Sequence, residues 1–270
     1  MKLLFVILFL SLVGCTKQSS QHIPSSDMLE STFDEQAASP PLVATFHKPE
    51  GDGLFPTVVL MHGCSGLIRE ANISLLSYAN FLNENGYSAL ILDSFGGRKK
   101  EGGMVCNSLS ELSKARNYRQ EDAYNALQYL KTLPYVDKNN IFLMGQSNGG
   151  SVALSIANKV QSLGFSDTLK FRAIAAFYPW CGALPHEIKT PLLVLGGEAD
   201  NWTPIKPCLV TMRNSTDIPF DVISYEGAHH SFDFYIPVQS YSGHTVGGNS
   251  AARDDSKKQM LNWFNQFRVQ

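Results

Sequence analysis

The sequence predicts an α/β protein with a mostly parallel central sheet and helices on both of its faces, and three observations carry that prediction. Strand-like runs alternate with helix-like ones along the chain, the order that a doubly wound parallel sheet requires. The strand-like runs are almost continuously apolar rather than alternating, as expected where both faces of a sheet are covered. A length of 270 residues with 44% apolar and 17% charged residues suits one domain of that size with a substantial core.

The chain opens with Met1 and Lys2 leading into LLFVILFLSLV, an apolar run too short to serve comfortably as a permanent transmembrane anchor. Residues 1–14 read as a secretory signal. The run ends at Leu12-Val13-Gly14-Cys15, which resembles the lipobox of bacterial lipoproteins, with Cys15 as the lipidated residue. That places the protein in the bacterial cell envelope, lipid-anchored and facing the periplasm or the cell surface. Residues 15–41 are polar, carry Ser and Pro, and show no period, so they read as a tether, and the domain is expected over residues 42–270. The net charge of −2, with lysines and arginines scattered, argues against a nucleic-acid partner.

Within the domain, LVATF, TVVLMHG, YSALILD, IFLMG, FRAIAAFY, PLLVLGG and FDVISY are the strand candidates. Between them SLLSYANFLNENG, ELSKARNYRQEDAYNALQYLKTLP, GGSVALSIANKVQSLG and the terminal DDSKKQMLNWFNQF carry helical spacing, several ending at Gly or Pro.

Chemistry enters at Gly145-Gln146-Ser147-Asn148-Gly149, which falls where the strand IFLMG ends and a helix begins. That is the setting of a nucleophile elbow, in which a serine takes strained backbone angles at a turn too sharp for side chains on its flanks. A general base is then expected downstream, and GAHHSF after the strand FDVISY supplies His230, favoured over His229. The acid belongs at a strand end between the two: Asp200, after PLLVLGGEA, is favoured over Glu198, against the plainer reading of Asp200 as a helix N-cap. Oxyanion donors are expected from the backbone N–H groups of Cys64, in the turn His62-Gly63-Cys64-Ser65-Gly66, and of Asn148. His62 reads as a brace for that turn. Arg98 and Trp202 lie in loops expected near the mouth and are candidate substrate contacts. The Tyr-, Ser- and Gly-rich stretch 233–253 reads as a surface loop, either shaping the pocket or passively connecting.

Taken together, VVLMHGCSGL, YSALILDSFGGR, the helix pattern R-x-x-D-A-x-x-A-L-x-Y-L from Arg119 to Leu130, FLMGQSNGG, AFYPWCG, GEADNWTP and YEGAHHSFD resemble the dienelactone hydrolase family of α/β-hydrolases. The resemblance runs from about Leu42 to the C-terminus. It implies an eight-stranded sheet in the α/β-hydrolase fold, a Ser147, Asp200, His230 triad, no metal and no cofactor. Where the founding enzymes of that family use a cysteine nucleophile, this chain has Ser147, so the resemblance implies a reaction type more than a substrate. The expectation is a serine hydrolase acting on a small carboxylic ester or lactone. The alternatives are an acyltransferase or peptidase on the same fold, or a non-catalytic envelope lipoprotein.

Four cysteines remain beside Cys15, in a compartment that permits disulfides. Cys64 and Cys106 follow neighbouring strands, as do Cys181 and Cys208, so the expected pairs are Cys64 with Cys106 and Cys181 with Cys208. No C-x-x-C or His pairing at zinc spacing supports metal ligation instead.

Overall fold

The computed structural model describes residues 19–23, 42–98, 105–158, 169–183, 188–213 and 218–270. The expected signal 1–14 and lipidated Cys15 lie outside the described residues. The strands are β1 (Ser19–Ile23), β2 (Leu42–His47), β3 (Phe55–Met61), β4 (Ser88–Asp93), β5 (Val136–Gln146), β6 (Ile174–Phe177), β7 (Leu192–Gly197) and β8 (Phe220–Tyr225), with a small hairpin of β9 (Gln239–Tyr241) and β10 (His244–Val246). The helices are α1 (Arg69–Glu84), α2 (Leu109–Leu130), α3 (Asn148–Asn158), α4 (Lys206–Arg213) and α5 (Ser250–Phe267).

The first eight strands form one sheet in the order β1-β2-β4-β3-β5-β6-β7-β8. The pairs β1–β2 and β2–β4 are antiparallel and all others parallel. This is the α/β-hydrolase fold. Successive residues of a strand face opposite sides of the sheet, and both sides are roofed. Val59, Met61, Leu143 and Val194 pack with Leu127, Val152 and Ile156 of α2 and α3, whereas Val58, Leu60, Phe142 and Leu193 pack with Leu75 of α1 and Met260 and Phe264 of α5. Neither face of the central strands meets water, and that is why their sequences run apolar without alternation.

Three elements differ from expectation. Residues 19–23 fall in the stretch read as tether, yet they pair antiparallel with β2 from Ser19↔Phe46 to Ile23↔Leu42. An edge strand held by backbone pairing needs no apolar pattern, so SSQHI carried no signal. Helix α4 begins Lys206-Pro207, with the proline in its first turn, where its missing N–H is harmless. The stretch 233–253 is not wholly loop: it holds β9, β10 and the start of α5.

Candidate active site

Ser147 stands between the last residue of β5 and the first of α3 with φ +54. Such a left-handed backbone is costly for a residue with a side chain and persists only where its surroundings enforce it. Here they do: a Cβ at Gly145 would lie 2.2 Å from the carbonyl oxygen of Gly149, and one at Gly149 would lie 2.5 Å from that of His62. The strand and the helix therefore meet closely enough to drive Ser147 outward, and its N–H donates to Phe177 at 2.9 Å.

His230 presents Nε2 to Ser147 Oγ at 2.9 Å and Nδ1 to Asp200 Oδ2 at 2.8 Å. The other oxygen of Asp200 accepts the backbone N–H groups of Trp202 and Thr203, both at 2.8 Å. Burial pushes the Asp200 carboxyl up, but the His230 ring and those backbone donors outweigh it and hold the pKa below the ordinary value. Asp200 is thereby kept as a fixed anion against Nδ1. His229 faces elsewhere, its Nδ1 3.1 Å from the carbonyl of Ala199, and Glu198 accepts from the Ser224 hydroxyl at 2.7 Å. Of the paired candidates, the structure thus brings together Ser147, His230 and Asp200.

Two cavities open at Ser147. One, of about 250 Å³, is lined by His230, Tyr178 and the apolar side chains Phe234, Ile236, Tyr241 and Val246. The other, of about 400 Å³, lies towards α2 and α3 and is lined by Leu112, Arg116, Asn148 and Trp180. Cys64, Ser147 and Trp202 border both. Trp202 packs 4.8 Å from the His230 ring and stacks on His244 at 4.7 Å. The turn bearing Cys64 approaches the serine so closely that a Cβ at Gly63 would sit 3.3 Å from the Ser147 Cβ. His62 behind it is fully buried, with Nδ1 2.7 Å from the Gly63 carbonyl and Nε2 accepting the Ser94 N–H at 3.3 Å. Burial and the neighbouring Arg119 charge hold its pKa down against the opposing pull of Asp93 and the Gly63 carbonyl, and the ring braces the turn.

The sequence matches the family model described as the dienelactone hydrolase family over residues 42–268. The chain belongs to the dienelactone hydrolase family. Among curated proteins it is 26% identical to esterase FrsA of Klebsiella pneumoniae over 165 residues, covering 60% of this chain and 34% of that one. It is 27% identical over 122 residues to an uncharacterized 31.7 kDa protein of Escherichia coli from the traX-finO intergenic region, covering 44% of this chain and 38% of that protein. The chain thus spans about a third of the length of the curated relatives it matches. Among solved structures, a dienelactone hydrolase-like promiscuous phosphotriesterase from metagenomic libraries superposes with TM-score 0.67 at 20% identity, covering 93% of this chain and 98% of the other. The dienelactone hydrolase of Anabaena variabilis gives 0.66 at 15% identity, covering 94% and 99%. At these identities the two structures speak for the fold.

Other features of this dienelactone hydrolase family member test the remaining expectations. Arg98 departs from its expected place: it lines neither cavity. Its guanidinium forms a two-point pair with Asp122, at 2.7 and 2.9 Å, donates to the Ser94 carbonyl at 2.8 Å and stacks over Tyr118. The reason is that Asp122 on α2 is fully buried and needs a counter-charge, which Arg98 supplies. Both expected disulfides are present, Cys64–Cys106 and Cys181–Cys208. Among the described residues no cluster of three or more His, Cys, Asp or Glu side chains could hold a metal, and no helix is long and apolar enough to cross a membrane.

Sequence reasoning missed Asp233. Wholly buried three residues after His230, it accepts from Tyr178 at 2.7 Å, Tyr78 at 3.1 Å and Gln146 at 2.7 Å. Burial raises its pKa against the pull of those donors. The network fixes the base loop to β5 behind the serine and to the turn after β6. The stretch 233–253 likewise shapes the pocket rather than merely connecting: the N–H of Gly247 donates to the His230 carbonyl at 3.0 Å, and Val246 pairs with His230.

Proposed function

We propose that this protein is a serine-dependent hydrolase of small carboxylic esters or lactones that works through an acyl-enzyme on Ser147. The observation that carries this reading is the unbroken hydrogen-bonded chain from Ser147 Oγ through His230 to Asp200, at 2.9 and 2.8 Å, opening onto two cavities. In the mechanism, Ser147 Oγ attacks the ester carbonyl as Nε2 of His230 takes its proton. Asp200 keeps the Nδ1 proton in place and stabilises the imidazolium. Negative charge on the carbonyl oxygen is met by the N–H groups of Cys64 and Asn148, fixed before reaction by the turn and the helix start. His230 then protonates the leaving alcohol, and water releases the acid by the same route. Membership of the dienelactone hydrolase family, the esterase name of the Klebsiella relative and the phosphotriesterase name of one structural neighbour agree with attack on an activated ester.

The test is covalent labelling of the soluble domain with a fluorophosphonate, read by intact mass, followed by an ester and lactone screen with product analysis. One label on the wild type, absent from Ser147→Ala and His230→Ala, together with free acid as product, supports the reading. A folded wild type that takes no label and turns over no ester refutes it. Transfer to an added alcohol in preference to water would move the acyltransferase reading ahead. Lipidation of Cys15 and an envelope location are proposed from the lipobox, and the mass of the mature N-terminal peptide tests them.

A further inference from the structure

Arg119 has none of its surface exposed, and it is the largest wholly buried side chain among the described residues. Its guanidinium bridges the two segments that carry the candidate oxyanion donors. Nη2 donates to the carbonyl of His62 at 2.6 Å, two residues before Cys64, and Nη1 donates to Oδ1 of Asn148 at 2.7 Å. The ring of Phe95 lies 5.0 Å beneath it.

This is an unusual position for a cation. Asp122, one turn along α2, is taken up by Arg98, and among the described residues no carboxylate lies within ion-pair distance of Arg119. Burial lowers the pKa to about 10, which leaves the group charged at neutral pH. Burying an unpaired charge is expensive, and an apolar residue could fill the same space. What an apolar side chain lacks is a rigid fork reaching two oxygens at once and a positive field behind the place where an oxyanion forms.

We infer that Arg119 is a positioning residue for the oxyanion hole, holding the Cys64 turn and the start of α3 at a fixed separation and placing a positive charge behind both donors. This rests on the hydrolase reading of Ser147. Because the spacing of two N–H groups matters to a tetrahedral oxyanion and little to a bound ester, loss of the clamp acts on kcat rather than on KM.

The experiment uses p-nitrophenyl acetate as substrate and phenylboronic acid as a mimic of the tetrahedral state, with thermal unfolding followed alongside. Arg119→Lys keeps the charge and loses the fork. Asn148→Ala removes one arm, keeps its own backbone N–H and leaves Arg119 in place, so it carries the test if Arg119→Lys does not fold. The expected result is a fall in kcat of about tenfold for Asn148→Ala and about a hundredfold for Arg119→Lys, with KM within about twofold and boronate inhibition weakened in parallel. Folded variants with wild-type kcat, or with KM raised and boronate inhibition unchanged, overturn the inference while the hydrolase reading stands. A wild type that neither hydrolyses the ester nor takes a fluorophosphonate overturns the hydrolase reading, and this inference with it.

Discussion

Replacing Asp200 by asparagine leaves the shape of the side chain intact and inverts one hydrogen bond. Oδ1 already accepts two backbone N–H groups, from Trp202 and Thr203, so the amide oxygen of the variant must stay there and the amide nitrogen must face His230. That nitrogen finds a second acceptor in the Thr203 hydroxyl, 2.9 Å from Oδ2, whose own proton can go to the Tyr178 carbonyl, also at 2.9 Å. The fold therefore keeps its bonds, and the stability loss is that of one charge-assisted contact made neutral, about 1 to 2 kcal/mol. In a domain of this size that shifts the melting temperature by only a few degrees, roughly 2 to 4 °C per kcal/mol. The chemistry fares worse. An amide N–H directed at Nδ1 forces the His230 proton onto Nε2, which then has no lone pair for the Ser147 proton. The expected loss is about ten-thousandfold in kcat, equivalent to about 5 kcal/mol of barrier. Hydrolysis of p-nitrophenyl acetate and the rate of fluorophosphonate labelling measure the first effect, and circular dichroism melting measures the second. Activity within tenfold of wild type, or a loss that tracks a collapse of the fold, would refute the reasoning.

Gly149→Ala puts a methyl group 2.5 Å from the His62 carbonyl oxygen and 2.7 Å from that of Met61. It should destabilise by about 1 to 3 kcal/mol or more, with activity lost as the Cys64 turn is pushed off the serine; urea midpoints and ester turnover test it. The disulfides span 42 and 27 residues, so loop entropy puts either removal at about 3 to 4 kcal/mol. Cys181→Ser with Cys208→Ser should lower the unfolding midpoint and spare kcat, whereas Cys64→Ser with Cys106→Ser should lower both, because only the latter pair borders Ser147. Burial pushes Asp93 up, but the His62 ring and the backbone N–H groups of Gly96 and Phe95 bring it down to about 2. Its folded pKa lies below the unfolded one, so its contribution is present above about pH 4 and is lost as pH falls towards 2. Denaturant midpoints between pH 5 and 2.5 should fall more steeply in the wild type than in Asp93→Ala, and equal slopes would remove this carboxyl from the account.

What could be read from the sequence divides by the range of the interaction involved. The seven strands from LVATF to FDVISY were legible because burial on both faces writes itself into every residue of a run, and the elbow because Gly145 and Gly149 are demanded by contacts within one turn. Strand β1, the eighth, was not legible, since SSQHI is held by backbone pairing that any side chain tolerates. The β9–β10 hairpin did leave a signal: Ser242 and Gly243 both take positive φ, at 49 and 80, and a Ser-Gly pair between short runs with Tyr and Val fits such a turn. Asp233 left none. An aspartate beside two aromatic residues in a polar loop reads as solvated, and its burial depends on Tyr78, Gln146 and Tyr178, which stand 155, 87 and 55 residues away in the chain. The two arginines show the same limit from both sides. Arg98, in a glycine-rich loop at a strand end, has the local context of a substrate contact, and Arg119, on a helix with a neighbouring aspartate at i+3, that of a surface ion pair. The fold hands Asp122 to Arg98 and so frees Arg119 to grip His62 and Asn148. Which cation pairs with an acid and which stands behind Ser147 is thus decided by competition for one buried carboxylate.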